Sequence, residues 1–339
     1  MWDAPDGSFA LEDPGWFLHG LDMEAGRARF VRTDRAALSA EPFLDHRWRP
    51  QDPAGRDVAL SELIAAGAEP LPLSFIWHTA HCASTLLAAC LDAEGRCLPL
   101  KEPQALVMLA ALKRTGGLGD PALARAVFAL LARRFLPAEQ VLIKPSNSAN
   151  TLLPEAAALT QGRMLLLYSD CETFVLAIAR RGMGGFALVR RLFVSLARDG
   201  HPAGRWAPAE VLKLPDLQLA ALVWRMQMDA LEGASARLGE RARSLDCGRF
   251  LADPGPVLGA VDDFLRLGLG RAHIDSLLEG PRLGLDAKQP GQPFDPEARA
   301  AEDRRLRAQL GRDLGDALSS IERAFPDPPR LAPPLATGT

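Results

Sequence analysis

The chain has no apolar run long enough to cross a membrane and little net charge. Its apolar stretches, such as 164–168, are far shorter than the ~20 residues that a bilayer span needs, so no membrane partner is expected. Lysine and arginine total 39 against 42 acidic residues, a net charge of -3 that argues against a dedicated nucleic-acid binder. The first residues are acidic and show no basic-then-apolar signal pattern, so a cytoplasmic location is expected.

Cysteine patterns that would indicate disulfides or zinc are also missing. The five cysteines are odd in number and form no CxxC pair, which argues against a disulfide framework and a structural zinc site. Of the six histidines, only His78 and His81 lie close together in the sequence. We therefore expect no metal.

The order of apolar segments predicts three regions. Residues 1–69 are rich in proline, glycine and aspartate, and are expected to form a lead-in that Trp2, Trp16 and Trp48 pack onto the core. Residues 70–325 are predicted to form an α/β domain with helical insertions, and the proline-rich tail 326–339 is predicted to be disordered. Within the lead-in, strands are expected near 16–17 and 28–31, and a helix over 60–66.

Strands and helices alternate from residue 71 to residue 181. Continuous apolar runs predict buried strands at 71–77, 97–101, 140–144 and 163–169. Helical spacing predicts helices at 85–93, 103–114, 121–135 and 171–181, with another beginning near 148 or 150. This alternation indicates a parallel sheet flanked by helices.

The chain beyond residue 184 is predicted to be mostly helical. Long helices are expected over 214–240 and 296–324, with a short strand and a helix within 243–269. The first long helix carries an apolar stripe that faces either the core or a second copy in a homodimer: Leu217, Ala221, Trp224 and Met228.

The loop HTAHCAS (78–84) follows the first buried strand and precedes a helix, which is the frame of a phosphate-binding loop. A Walker loop needs glycines and a lysine, because backbone amides must wrap a phosphate and a cation must neutralise it. Here Ala80 and Ala83 stand where glycines are expected, and Ser84 stands at the lysine position. Only Thr85 keeps its expected type, so the loop is not a Walker loop.

The stretch His81-Cys82-Ala83-Ser84-Thr85-Leu86-Leu87 resembles the donor loop of bacterial and tyrosyl-protein sulfotransferases. That loop reads basic residue, any residue, Gly, Ser/Thr, Thr, Leu, Leu. The resemblance implies a P-loop-type sulfotransferase-like fold that binds 3′-phosphoadenosine 5′-phosphosulfate. It also implies that His81 takes the place of the basic residue that contacts the transferring sulfuryl group, and that residues 82–86 bind the 5′-phosphosulfate.

Further segments resemble the family and extend the likeness over residues 70 to 270. LKEP (100–103) is similar to the second strand, and Glu102 falls where the tyrosyl-protein branch has its catalytic carboxylate. Lys144 ends a strand that often ends in lysine in this family. Residues 245–269 are similar to the family's C-terminal segment in order and spacing.

The 3′-phosphate site departs from the family pattern. The family strand ends in Arg-Asp-Pro, with a serine eight residues after the arginine, whereas this chain has Ser169-Asp170-Cys171 and Ala177. Each lost charged hydrogen bond is worth about 1.5–3 kcal/mol. Arg180 and Arg181, one helical turn further on, either replace these ligands in part or are ordinary surface arginines.

Three residues around the loop have two interpretations each. His81 binds an anion if it is protonated, or else donates to backbone, and its ordinary pKa is ~6.5. Glu102 is a general base for the acceptor hydroxyl, or a carboxylate that stabilises the helix beginning at Pro103. Cys82 is a reactive thiol near a helix start, or a small buried side chain.

The turn after the strand 140–144 is unusually polar. Lys144 is followed by Ser146, Asn147, Ser148 and Asn150, which suits a phosphate, a sugar or an acceptor group. The alternative is a helix cap by Ser148 or Asn150.

The sequence thus favours a divergent sulfotransferase-like transferase with a nucleotide donor and an unidentified hydroxyl acceptor. The predicted catalytic residues are Glu102, His81 and Lys144, with acceptor contacts from Ser146, Asn147 and Asn150. The first alternative is a nucleotide- or phosphoanion-binding scaffold without catalysis. The second is a phosphoryl transferase that uses an ordinary nucleotide.

Overall fold

The computed structural model describes residues 9–50, 52–66, 72–119, 121–235, 237–289 and 291–337. Trp2 and Leu71, which entered the predictions above, lie outside these ranges. Within them, no helix combines the length and the hydropathy that a bilayer span requires.

The N-terminal region forms an antiparallel sheet in the order β1-β2-β3. Its strands are β1 (Trp16–Asp22), β2 (Arg27–Arg32) and β3 (Asp52–Ala59). The strands predicted near 16 and 28 are confirmed, but β3 was not predicted because it contains proline and glycine, which weaken a strand. Gly55 is needed there, since a Cβ at this position would lie 2.2 Å from the carbonyl oxygen of Phe30.

The main sheet has five parallel strands in the order β5-β6-β4-β7-β8. These strands are β4 (Ser74–His78), β5 (Cys97–Lys101), β6 (Gln140–Lys144), β7 (Met164–Tyr168) and β8 (Ala242–Asp246). The predicted α/β fold with a parallel sheet flanked by helices is therefore confirmed. The first strand begins three residues later than predicted, and the others agree within two residues.

Both faces of the main sheet are buried, which explains its continuous apolar runs. Phe75 and Trp77 of β4 pack in the same core as the N-terminal sheet. Ile76, between them in sequence, packs on the opposite face with residues of the C-terminal helices such as Phe250. The N-terminal region is thus a layer of the main core.

Fourteen α-helices surround the two sheets in the described ranges. The first seven are α1 (Arg35–Ala40), α2 (Leu60–Ala65), α3 (Ser84–Cys90), α4 (Gln104–Arg114), α5 (Pro121–Leu131), α6 (Leu153–Leu159) and α7 (Cys171–Arg180). The last seven are α8 (Gly182–Arg198), α9 (Pro208–Lys213), α10 (Asp216–Ser235), α11 (Cys247–Ala252), α12 (Pro254–Leu265), α13 (Arg271–Glu279) and α14 (Pro296–Ala324). The helix predicted over 296–324 is confirmed and is kinked at Gly311, whereas the one predicted over 214–240 covers only 216–235.

The apolar stripe of α10 is covered mainly by the chain itself. Leu217, Ala221 and Met228 are buried, and Trp224 is half-buried. α10 packs on α7, α8 and α14. The stripe is therefore part of the internal packing, and the homodimer stays a prediction.

Residues 333–335 of the proline-rich tail lie along the outer edge of the main sheet. The Ser244 amide of β8 donates to the Pro333 carbonyl at 3.0 Å, and the Leu335 amide donates to the Ser244 carbonyl at 2.8 Å. Leu335 is buried. The stretch around residues 333–335 thus has a defined place on β8, while the three-region division stays a prediction.

Candidate functional site

The predicted site residues lie at the carboxyl ends of the central strands. β4 lies between β6 and β7, and the chain crosses β4 when it passes from β6 to β7. Such a switch point leaves a crevice at the carboxyl ends of the strands, where open parallel sheets bind their ligands. The loop after β4, Glu102 after β5 and Lys144 at the end of β6 all open onto this edge.

The loop between β4 and α3 is a tight turn built without glycine. His81 has a φ of 60° and Ala83 a φ of 58°, both in the left-handed region. This conformation costs a residue other than glycine about 1–2 kcal/mol. Strain of this kind persists where surrounding contacts enforce it, and it is concentrated at functional sites.

Gln227 of α10 is one of the contacts that hold the loop. Its fully buried Oε1 accepts hydrogen bonds from the Ala80 amide at 2.9 Å and from Asn147 Nδ2 at 3.1 Å. One side chain therefore ties the loop after β4 to the turn after β6. No sequence pattern predicts this contact, because Gln227 lies 147 residues beyond Ala80 in the middle of an apolar helix.

Several buried polar atoms around the loop have no hydrogen-bond partner in the described part of the chain. They include Thr79 Oγ1, His81 Nε2, Thr85 Oγ1 and Ser169 Oγ. Buried polar groups in folded proteins are nearly always paired, so four such atoms in one neighbourhood are unusual. Hydroxyl and imidazole groups of this kind match the oxygens of a bound phosphate or sulfate.

Glu102 and Lys144 form an ion pair beside the loop. Lys144 Nζ lies 2.5 Å from Glu102 Oε1 and 3.4 Å from His78 Nε2. The Lys144 side chain is fully buried, whereas that of Glu102 is 13% exposed. Glu102 also has left-handed backbone, with a φ of 59°. The carboxylate thus binds Lys144 and makes no cap at the start of α4.

The charges around this pair determine its protonation. Burial alone would raise the pKa of Glu102, but the Lys144 ammonium and its neighbours hold it below its usual value. Burial and the Lys144 ammonium lower the pKa of His78 to about 4. At pH 7 Glu102 is therefore a carboxylate, and His78 is a neutral ring whose Nδ1 lies 2.8 Å from the Thr79 carbonyl oxygen.

Arg47, from the N-terminal region, binds the second carboxylate oxygen of Glu102. Its Nη2 lies 3.2 Å from Glu102 Oε2, and it binds Asp45 through two hydrogen bonds of 2.8 Å and 2.6 Å. The guanidinium lies 3.5 Å from the centre of the Phe43 ring. Sequence reasoning missed Arg47, Asp45 and Phe43, because they precede the main sheet in a segment without a recognisable motif.

The structure changes the expectations for two loop residues. Burial and the nearby cations, Lys288 first among them, lower the pKa of His81 to about 3, so the free protein presents a neutral ring there. Burial raises the pKa of the Cys82 thiol, which donates to the Thr79 carbonyl at 2.9 Å. The suggestion that the start of α3 makes Cys82 a reactive thiolate is therefore wrong.

The remaining loop residues begin α3. Ala83 precedes the helix, Ser84 and Thr85 are buried in its first turn, and Leu86 packs half-buried against the core. The amides of His81, Cys82 and Ala83 have no acceptor among the described residues. They are free to donate to a bound anion.

The two arginines predicted near the 3′-phosphate lie in different surroundings. Arg180 is bound by α14, with Glu302 Oε2 at 3.1 Å from its Nε and with Asp303 as a second partner. Arg181 is exposed, and its positive charge helps to lower the pKa of His81. Lys288, from the loop before α14, also lowers the pKa of His81 and interacts electrostatically with Lys144 and Glu102.

The polar turn after β6 is largely occupied by bonds within the protein. Asn150 Nδ2 donates to the His78 carbonyl at 3.0 Å, and Asn147 binds Gln227. Ser148 Oγ donates to Ser146 Oγ at 3.1 Å. Among the described residues, no group of three or more histidines, cysteines or acidic residues is arranged to hold a metal ion.

No family model and no curated protein matches the sequence. Among solved structures, the fold is similar to the sulfotransferase domain from the curacin biosynthetic pathway, with a TM-score of 0.41 and 15% identity over 71% of this chain and 97% of that one. It is also similar to sulfotransferase STF9 from Mycobacterium avium, with a TM-score of 0.37 and 13% identity over 80% of each chain.

Proposed function

We propose that this chain is a transferase that moves a sulfuryl group from a nucleotide phosphosulfate to a hydroxyl acceptor. The observation that carries the proposal is the Lys144–Glu102 pair, 2.5 Å apart, beside a loop with unpaired buried polar groups. Both features lie at the carboxyl edge of one sheet, which supports an anion site next to an ionised carboxylate. The sequence resemblance makes 3′-phosphoadenosine 5′-phosphosulfate the first donor to test.

The loop after β4 is the donor side of the proposed site. The amides of residues 81–83 and the hydroxyls of Ser84 and Thr85 would bind the oxygens of the 5′-phosphosulfate. His81 is neutral in the free protein, and a bound anion would raise its pKa and favour its protonated form.

Glu102 is the proposed general base. As a carboxylate at pH 7, it would accept the proton of the acceptor hydroxyl while the acceptor oxygen bonds to sulfur. Lys144 fixes the carboxylate and supplies a positive charge next to the reacting oxygens. Arg47 binds the second carboxylate oxygen.

The residues present fit only part of the family's donor. The loop suits a 5′-phosphosulfate. The positions matching the family's 3′-phosphate ligands are a fully buried serine, Ser169, and a buried alanine, Ala177. This mismatch favours the alternative function, a phosphoanion-binding scaffold without catalysis.

Release of labelled sulfate or transfer to a panel of phenols and alcohols would test the proposal, with adenosine 5′-phosphosulfate and its 3′-phosphorylated form as donors. We expect turnover by the wild-type chain and at least a 100-fold loss in Glu102→Gln. Glu155→Gln is the matched control, because it breaks another lysine–glutamate pair, with Lys113 at 2.7 Å, outside the site. No turnover of either donor above buffer, or equal turnover in Glu102→Gln, would contradict the proposal.

A further inference from the structure

In the region where the resemblance places the 3′-phosphate, α7 carries no cationic side chain before its last residue, Arg180. Ser169 is fully buried, its Oγ has no partner, and its carbonyl accepts a hydrogen bond from Trp224 Nε1 at 2.7 Å. Ala177 is buried and has no polar side-chain atom. Neither side chain offers a phosphate dianion a positive charge or an exposed hydroxyl.

Arg180 is the cation on α7 that lies nearest in sequence to these positions, and α14 already binds it. Glu302 Oε2 lies 3.1 Å from its Nε, and Asp303 pairs with its Nη2. Arg299 lies 3.8 Å from Glu302 on the same helix. Arg180 Nε makes no hydrogen bond among the described residues, but a phosphate bound there would be repelled by the two carboxylates already paired with the same guanidinium.

This charge cluster lies beside the donor loop. The positive charges of Arg180 and Arg299 both lower the pKa of the His81 imidazole. The His81 ring in turn lies 6.3 Å from the ring of Phe174, which is on the same helix as Arg180. Glu302 and Asp303 therefore pair with a cation, Arg180, whose charge reaches the donor loop.

We propose that the donor of this chain has no 3′-phosphate, and that Glu302 and Asp303 of α14 select against donors that carry one. The proposal rests on the transferase function given above. It names the substrate class as adenosine 5′-phosphosulfate with a free 3′-hydroxyl. In the transfer, a bond forms between the acceptor oxygen and sulfur, and the bond from sulfur to the bridging oxygen breaks. Adenosine 5′-monophosphate leaves, and the acceptor proton passes to Glu102.

Calorimetric titration of the full chain with the two product nucleotides tests this selection without needing an acceptor. We expect adenosine 5′-monophosphate to bind at least tenfold more tightly than adenosine 3′,5′-bisphosphate. Equal or tighter binding of the bisphosphate would overturn the inference and leave the transferase function standing. Binding of neither nucleotide at millimolar concentration would refute the proposed donor site, and the inference with it.

The double variant Glu302→Gln/Asp303→Asn tests the role of α14. It removes two negative charges and frees Arg180, so the preference should shift at least tenfold toward the bisphosphate, with monophosphate affinity within twofold of wild type. Arg307→Gln is the matched control, because it breaks the other ion pair between α14 and α7, with Glu172, and leaves Arg180 bound. An unchanged preference in the double variant, or an equal shift in the control, would overturn the role of the two carboxylates. If the double variant does not fold, Glu302→Gln alone should give a shift in the same direction, and no shift would again overturn that role.

Discussion

Lys144 and Glu102 are joined twice, through their side chains and through their backbones. The side chains form the 2.5 Å ion pair, and the Glu102 amide donates to the Lys144 carbonyl at 2.7 Å. The backbone bond continues the register of β5 and β6, in which Lys101 lies opposite Lys144. The carboxylate is therefore positioned by the sheet itself, on a residue whose left-handed backbone turns it away from the strand direction.

The first prediction concerns the stability of this pair. Lys144→Met should lower the free energy of unfolding by about 3 kcal/mol, because removing one partner of a buried pair leaves the other uncompensated. Adding Glu102→Gln should recover part of that loss. Urea unfolding of the wild type, both single variants and the double variant gives the coupling energy. Additive effects of the two substitutions would show that the pair is not coupled.

The second prediction concerns Arg47 and the pH dependence of turnover. Arg47 is one of the cations that hold the pKa of Glu102 below its usual value. Arg47→Gln should therefore raise that pKa, so the acid limb of the pH–rate profile should move to higher pH. Arg29→Gln, which loses an exposed ion pair with Asp57, is the control and should leave the limb in place. A limb that does not move in Arg47→Gln would argue against Glu102 as the base.

The third prediction concerns Lys101, which is buried and donates to the Ser39 carbonyl at 2.7 Å. Burial lowers its pKa to about 8, from 10.5 in an exposed lysine. Between pH 8 and 10.5 the unfolded chain therefore binds more protons than the folded protein, so stability gains from this group as pH rises. The gain should reach about 3 kcal/mol relative to Lys101→Met. Urea unfolding at pH 7.5, 9 and 10 measures it, and a constant difference between the two proteins would contradict the prediction.

The fourth prediction concerns Gln227. Gln227→Leu should leave the Ala80 amide and Asn147 Nδ2 without their acceptor and destabilise the protein by about 1–3 kcal/mol. Because Ala80 lies in the donor loop, nucleotide affinity should fall by more than tenfold. Gln227→Glu keeps an acceptor at this place and serves as the comparison. Full nucleotide affinity in a folded Gln227→Leu protein would show that the loop does not depend on this bond.

The strands of the main sheet could be predicted from the sequence because they are buried on both faces. Segments 97–101 and 140–144 are apolar except at their ends, and the structure confirms them as strands. The antiparallel sheet could not be predicted, since its third strand, β3, contains Pro53 and Gly55, which weaken a strand pattern. In the site, Glu102 and Lys144 could be identified from the sequence because they lie at the ends of predicted strands. Their direct contact, and the arrival of Arg47 and Gln227 from distant segments, depend on packing that no local pattern encodes.

The stretch around residues 333–335 along β8 has a consequence for how the protein behaves in solution. β8 is the last strand of the main sheet, and an uncovered edge strand is a template for pairing with other chains. By bonding to both the amide and the carbonyl of Ser244, the C-terminal segment blocks that template and covers the edge with prolines. A chain cut before Leu331 would expose this edge and aggregate, even though every residue of the transfer site would remain.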